Sequence, residues 1–173
     1  FYGDAPSFEV DQKSTVIQFS GFNYTGTANV YSGEIIFDAR CENFSFDALS
    51  GKTTVSGFSY TGNHQLIQSA VWVGAGRIGL ASVIAEDALG EEVFNMANLS
   101  LDMNVEADSS GRTVNIDALY AIEKVTGAGD LDVSDMRLAL RFAGLDIAAL
   151  NDLVEMNQAG QVSDVPPEDL RAA

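Results

Sequence analysis

The chain has 173 residues, enough for one domain that buries most of its unfolded surface without metals or cross-links. Twenty-five acidic residues against nine lysines and arginines give a formal net charge of −16, which repels phosphate backbones and anionic lipid and argues against nucleic acid as a partner. One cysteine and one histidine exclude an intrachain disulfide, a multi-cysteine metal site and a paired-histidine site.

The opening "FYGDAPSFEV" has neither the basic region nor the apolar core of a secretory signal, and no window approaches the ~20 apolar residues of a helical membrane span. Next comes an internal echo: "SGFNYTG" from Ser20 returns 36 residues on as "SGFSYTG" from Ser56. A period of that size, rich in Phe, Tyr, Thr and turn glycines, predicts a pair of strands repeated along one growing sheet. Cys41, in "DARCENF", reads as a small buried hydrophobe. His64 stands at the start of a predicted strand, with no activated nucleophile in its sequence context, and reads as a surface or hydrogen-bonded structural histidine.

"VWVGAGRIGL" places Gly74, Gly76 and Gly79 in the G-x-G-x-x-G spacing of a dinucleotide loop. That loop needs a strand before it, a helix after it and an acid about 20 residues further on, closing a second buried strand. Asp102 is the nearest acid, but its surroundings alternate apolar and polar, unlike the continuous apolar run of a parallel sheet. The favoured reading makes "GAG" a hairpin turn between "HQLIQSAVWV" and "RIGLASVIA", with no cofactor; a dinucleotide-binding enzyme is the alternative. Trp72 reads as core or groove lining. Glu86, Asp87, Glu91 and Glu92 read as a solvated acidic loop.

"LSLDMNVEA" alternates cleanly: Leu99, Leu101, Met103 and Val105 point one way, and Ser100, Asp102, Asn104 and Glu106 the other. "RTVNIDALYAIEK" repeats this with Val114, Ile116, Ala118, Tyr120 and Ile122, so residues 99 to 124 predict a hairpin around "ADSSG". A glycine-rich reversal in "VTGAGDL" leads to "MRLALRFAG", where Met136, Leu138, Leu140 and Phe142 alternate with polar or small residues. Asp130, Asp132 and Asp135 resemble part of a calcium loop, but the central glycine and closing glutamate are missing, so metal binding there is only an alternative to none.

"LDIAALNDLVEMNQAG" predicts a helix over 146–157: Asp146 caps it, Leu145 and Leu150 form a staple, and Ile147, Leu150 and Val154 share a face. Burying that face is worth about 1.5–3 kcal/mol per large side chain. Gly160 is a natural stop. The tail from 161 to 173 reads as a linker and the first turn of an interrupted helix beginning at Pro167, Glu168 and Asp169.

From about Tyr31 to Asn157, "YSGEIIFDARCENFSFDALSG", the "NIDALYAIEKVTGAGDLDVSDMRLALRFAGLDIAALNDL" stretch and the passage through "AGLD" into an Ala/Leu-rich helix resemble the YdgA-like bacterial cell-envelope proteins, a family of unknown function. The resemblance implies a periplasmic body held at the inner membrane by an N-terminal anchor in a longer protein, and brings no catalytic residues to carry over. The non-Met start and the interrupted tail accord with a segment of such a protein.

The reading is therefore a mainly β (α+β) chain: a long twisted antiparallel sheet of hairpins with one C-terminal helix, residues 1–160 forming a single β-rich domain. No catalytic residue, cofactor or metal is assigned. The expected function is a non-enzymatic envelope binding or scaffolding module; the alternative is a purely structural or interaction protein without a small ligand. Its association face is Leu99, Leu101, Met103, Val105, Ile116, Tyr120, Leu138, Leu140 and Phe142. A protein partner, a second copy or a missing C-terminal half would cover it, with an apolar ligand as a further possibility, because an exposed apolar patch beyond a few hundred Å² seldom stays bare.

Overall fold

The computed structural model describes residues 1–12, 14–67 and 71–158. Ten strands lie in one antiparallel sheet: β1 (Tyr2–Ala5), β2 (Phe8–Gln12), β3 (Thr15–Phe19), β4 (Phe22–Asn29), β5 (Glu34–Ala48), β6 (Gly51–Leu66), β7 (Trp72–Asp87), β8 (Glu92–Ala107), β9 (Thr113–Gly127) and β10 (Leu131–Asp146). One helix follows, α1 (Ile147–Gln158). This is the mainly β, hairpin-built sheet with a C-terminal helix that the alternation predicts.

The topology is a meander in which sequence neighbours pair. β3 and β4 both run along β5, at its two ends, while β2 pairs with β3 and β1 with β4. β1 with β2, and β3 with β4, each form one long strand with an interruption, Pro6–Ser7 in the first and Ser20–Gly21 in the second. Proline lacks the N–H that a continuous ladder requires, and Gly21 has φ 103°, outside the reach of most side chains. The path from β1 to β10 thus has eight strands and seven inter-strand steps, roughly 34 Å at ~4.8 Å spacing. The later strands have 15 or 16 residues, about 50 Å each.

A crease crosses the sheet at mid-strand. Gly57 in β6, Asn98 in β8 and Asp135 in β10 have φ of 63°, 51° and 56°, so with Gly21 every second strand carries a left-handed residue at this level. The ladder skips them: Cys41–Phe58 is followed by Asn43–Ser56, Leu80–Leu99 by Ser82–Ala97, and Met136–Ile122 by Ser134–Lys124. The apolar alternation slips by one residue at the same place, from Phe44 to Cys41, Val55 to Phe58, Met96 to Leu99 and Val133 to Met136. An uninterrupted strand would send those two sets to opposite faces; in β6, β8 and β10 the left-handed residue falls inside the slip. The echoed "SGF" is this crease seen twice, and "ANL" and "SDM" continue it with Asn and Asp, the non-glycine residues that best tolerate the left-handed region.

The helix starts where the sequence places it. Asp146 Oδ1 accepts the Ala149 amide at 3.0 Å, a side-chain N-cap. Ile147 and Val114 are fully buried with Val71, and Val105, Leu145 and Leu150 pack around them at one end of the sheet. The other buried apolar residues among those described are Ala39, Cys41 and Val125. Among the described residues the sheet is a single layer over most of its area. Gly160 and the Pro167–Asp169 turn lie outside the described residues.

One expectation is corrected. "GAG" is not a hairpin turn: β7 runs unbroken through Gly74, Gly76 and Gly79, and the reversal falls earlier, between Ile67 and Val71, whose backbones bond at 3.0 Å. Glycine suggested a turn, but close packing is what requires it here. A Cβ on Gly74 would strike the Asn63 carbonyl, and one on Gly79 would stand 2.8 Å from Ser59 Oγ. Since a strand and not a helix follows, the dinucleotide alternative also loses its phosphate-binding frame.

Candidate functional site

Directly opposed residues share a face, so the register sorts the side chains. Leu99 leads through Ile122 to Met136, Leu101 through Tyr120 to Leu138, Met103 through Ala118 to Leu140, and Val105 through Ile116 to Phe142. All nine residues of the expected association face therefore stand on one side in four neighbouring rows. Among the described residues no second layer covers them beyond the α1 corner. Leu138 is 55% exposed, Phe142 51%, Tyr120 42% and Met103 41%.

The same face continues across the sheet as an aromatic band. Leu101 opposes Ile78, which opposes Tyr60, then Ala39 and Tyr24. Phe37 lies between Tyr24 and Tyr60 at centroid distances of 5.9 and 5.8 Å, its ring tilted 32° and 49° to theirs. Gly62 is the space that makes this possible, because Tyr60 and His64, two residues to either side, lean over it; a Cβ there would sit 2.5 Å from Tyr60 Oη and from His64 Nε2. These two side chains are hydrogen-bonded at 2.5 Å, with rings 14° from parallel. Burial pushes the Tyr60 hydroxyl pKa up. His64 is accordingly a hydrogen-bonded member of the band.

The opposite face holds a groove of about 930 Å³ running across the strands. Its walls are two rows on either side of the Gly62, Gly76 and Ala118 backbone, with Ile36, Ala75, Leu119 and Ala139 supplying apolar lining. Three ion pairs mark the same face: Arg40–Asp38 at 3.3 Å, Arg77–Asp102 at 3.6 Å and Arg141–Asp117 at 3.4 Å. The last two join directly opposed residues of adjacent strands. All are half-exposed, so each is worth about 0–1 kcal/mol. Sequence reading missed this groove. Its signal is a run of small residues, visible only once register aligns them.

The acids of "GDLDVSD" do not converge. Asp130 shapes the β9–β10 reversal with φ 64°, Asp132 pairs with Lys124 at 3.7 Å, and Asp135 is the crease residue. Among the described residues no group of three or more His, Cys, Asp or Glu is placed to hold a metal ion. Asp87 Oδ1 accepts the Leu89 and Glu91 amides, giving the acidic loop a structural carboxylate. Cys41 is buried beside Ser20 and Asn43. Trp72 is 40% exposed, so it is not core.

These features define an open, single-layer antiparallel sheet protein with a bare apolar face and a shallow groove behind it. Among the described residues no helix is long and apolar enough to cross a membrane. Residues 3–173 match the model of DUF945, described as a bacterial protein of unknown function, and the chain belongs to that family. The match gives the bacterial family of the resemblance without its YdgA-like name. No curated protein and no solved structure matches the chain.

Proposed function

We propose that the chain is a non-enzymatic binding or scaffolding module of the bacterial envelope, which holds a protein partner on the face from Leu99 to Phe142. The observation that carries this reading is the uncovered apolar surface on a sheet with so small a core. A sheet is stable when its apolar face is packed, and a patch of this kind marks an interaction site. The net charge of −16 repels anionic headgroups and favours a protein over an acidic lipid surface. The periplasmic, inner-membrane-anchored address rests on the resemblance to envelope proteins; protease accessibility in spheroplasts tests it, and protection of the full-length protein counts against it.

A photo-crosslinking amino acid at Leu138, Tyr120 or Phe142 in cells tests the face. A discrete adduct with one protein from these positions, and none from Asn104 on the other side, is the expected result. The same adducts from both sides, or none from either, defeat the reading. The groove favours a second reading, an apolar ligand bound there. Native mass spectrometry of detergent-free protein would then show added mass that Ala75→Trp removes, whereas a bare mass before and after rejects it.

A further inference from the structure

The two edges of this sheet are built differently. The first is blunt: β1 and β2 have four and five residues with Pro6–Ser7 between them. The last, β10, has 16 residues and no proline; it bends at Asp135 and bulges between Phe142 and Leu145, and its outer backbone edge has no strand partner among the described residues. Folded proteins usually shorten, bend or charge such an edge, because its unpaired N–H and C=O groups attract another strand. Among the described residues α1 meets β10 at the Leu145 corner and turns toward Val71, Val105 and Val114, so no described helix lies along the rest of the β10 edge.

Register shows what fits β10. Following opposed residues across the sheet, Arg137 lies in one row with Ala121, Ser100, Gly79, Ser59, Arg40, Asn23 and finally Asp4 on the opposite edge. Leu138 ends in the same way at Gly3, Val133 at Phe8 and Leu131 at Val10. A copy placed beside β10 in continuing register therefore sets Asp4 opposite Arg137 and apolar residues opposite Leu131 and Val133. The strand direction is also right: an even number of strand widths makes the incoming edge antiparallel to β10, as every other neighbour in the meander is. Arg137 has no ion pair among the described residues, while Arg40, Arg77 and Arg141 each have an aspartate. One row opposes, because Asp132 would meet Glu9; Lys124 beside Asp132 and Gln18 on Glu9 lessen that repulsion.

We infer that copies of this chain associate edge to edge, β10 of one against β1 and β2 of the next, which extends the sheet in register. The contact is heterologous, so it leaves a free edge at each end and builds two-copy and longer species. It uses strand edges and is independent of the partner proposed for the apolar face.

Charge exchange tests it by sedimentation velocity of the whole chain at about 0.15 M salt, where the Debye length is ~8 Å. Arg137→Asp alone and Asp4→Arg alone are expected to weaken association roughly tenfold, and mixing the two variants, or combining both changes in one chain, to restore it. Cysteines at Ala139 and Tyr2, which end the neighbouring row, should give a non-reducible-by-dilution ladder on oxidation, whereas Val133→Cys with Tyr2→Cys should not. A strictly monomeric parent overturns the inference. So does a dimer trapped by Ala139→Cys alone, which would mean that β10 pairs with its own copy, or single charge changes without effect.

Discussion

At Gly57 two demands meet: φ is 63°, and an added Cβ would lie 2.5 Å from the Ala81 Cβ. Left-handed backbone costs a side chain about 1–2 kcal/mol and the contact adds to it, so Gly57→Val should lower stability by at least ~2 kcal/mol in a denaturant titration. Asp135 has the same backbone need without glycine's freedom; Asp135→Gly is expected to be neutral or to stabilise by up to about 1 kcal/mol, and a large loss would contradict the crease. Asp108 governs a different feature, the β8–β9 loop. It accepts the Ser110 hydroxyl and the Thr113 and Arg112 amides, and these bonds lower its pKa to about 2. The folded value lies below the unfolded one of ~3.9, so its stabilisation is complete above about pH 4 and is lost as pH falls through about 2. Asp108→Asn should thus lower Tm near neutral pH, with the gap to the parent closing toward about pH 2.

At the level of elements, α1 depends on one side chain more than the sequence suggests. Its heptad-like face treats Ile147, Leu150 and Val154 alike, but only Ile147 is fully buried while Leu150 and Val154 are half-buried. Ile147→Ala is expected to cost about 2–5 kcal/mol, Leu150→Ala clearly less, and Asp146→Ala about 0.5–2 kcal/mol through the lost cap. Equal losses at Ile147 and Leu150 in urea titrations would show that the helix packs more deeply. The hairpins needed no such distinction, because "LSLDMNVEA" and "RTVNIDALYAIEK" carry a strict period of two, and it appears unchanged as β8 and β9. The "GAG" reading failed for the opposite reason: glycine between apolar runs serves a turn or a crowded strand equally well, and only the neighbouring strand's atoms decide.

For the whole molecule, the bare face makes an unusual demand on mutagenesis. Leu138 and Phe142 are large and apolar, yet replacing both with Asp should leave the monomer's unfolding midpoint nearly unchanged, because more than half of each side chain is already in water. Dye binding that reports exposed apolar surface should fall in the same variant. A cooperative loss of fold would mean that the face is packed. The small core at the α1 corner sets the other limit: hydrogen exchange should protect Val114 and Ile147 most strongly and the β1–β2 edge least.

The sequence by itself determined the class of fold, the antiparallel strands from Leu99 onward, the capped helix and the membership of one face by Leu101, Tyr120 and Leu138, because alternation and capping are local and each is written within a few residues. It also determined the repeat, though not its meaning. Tertiary structure decided where the crease falls, why Asn98 and Asp135 belong with Gly21 and Gly57, that β7 passes straight through its glycines, and that small residues from several strands open into one groove. It also decided which edge is blunt and which is open. Each of these depends on register between strands, and register is fixed by contacts between residues far apart in the chain.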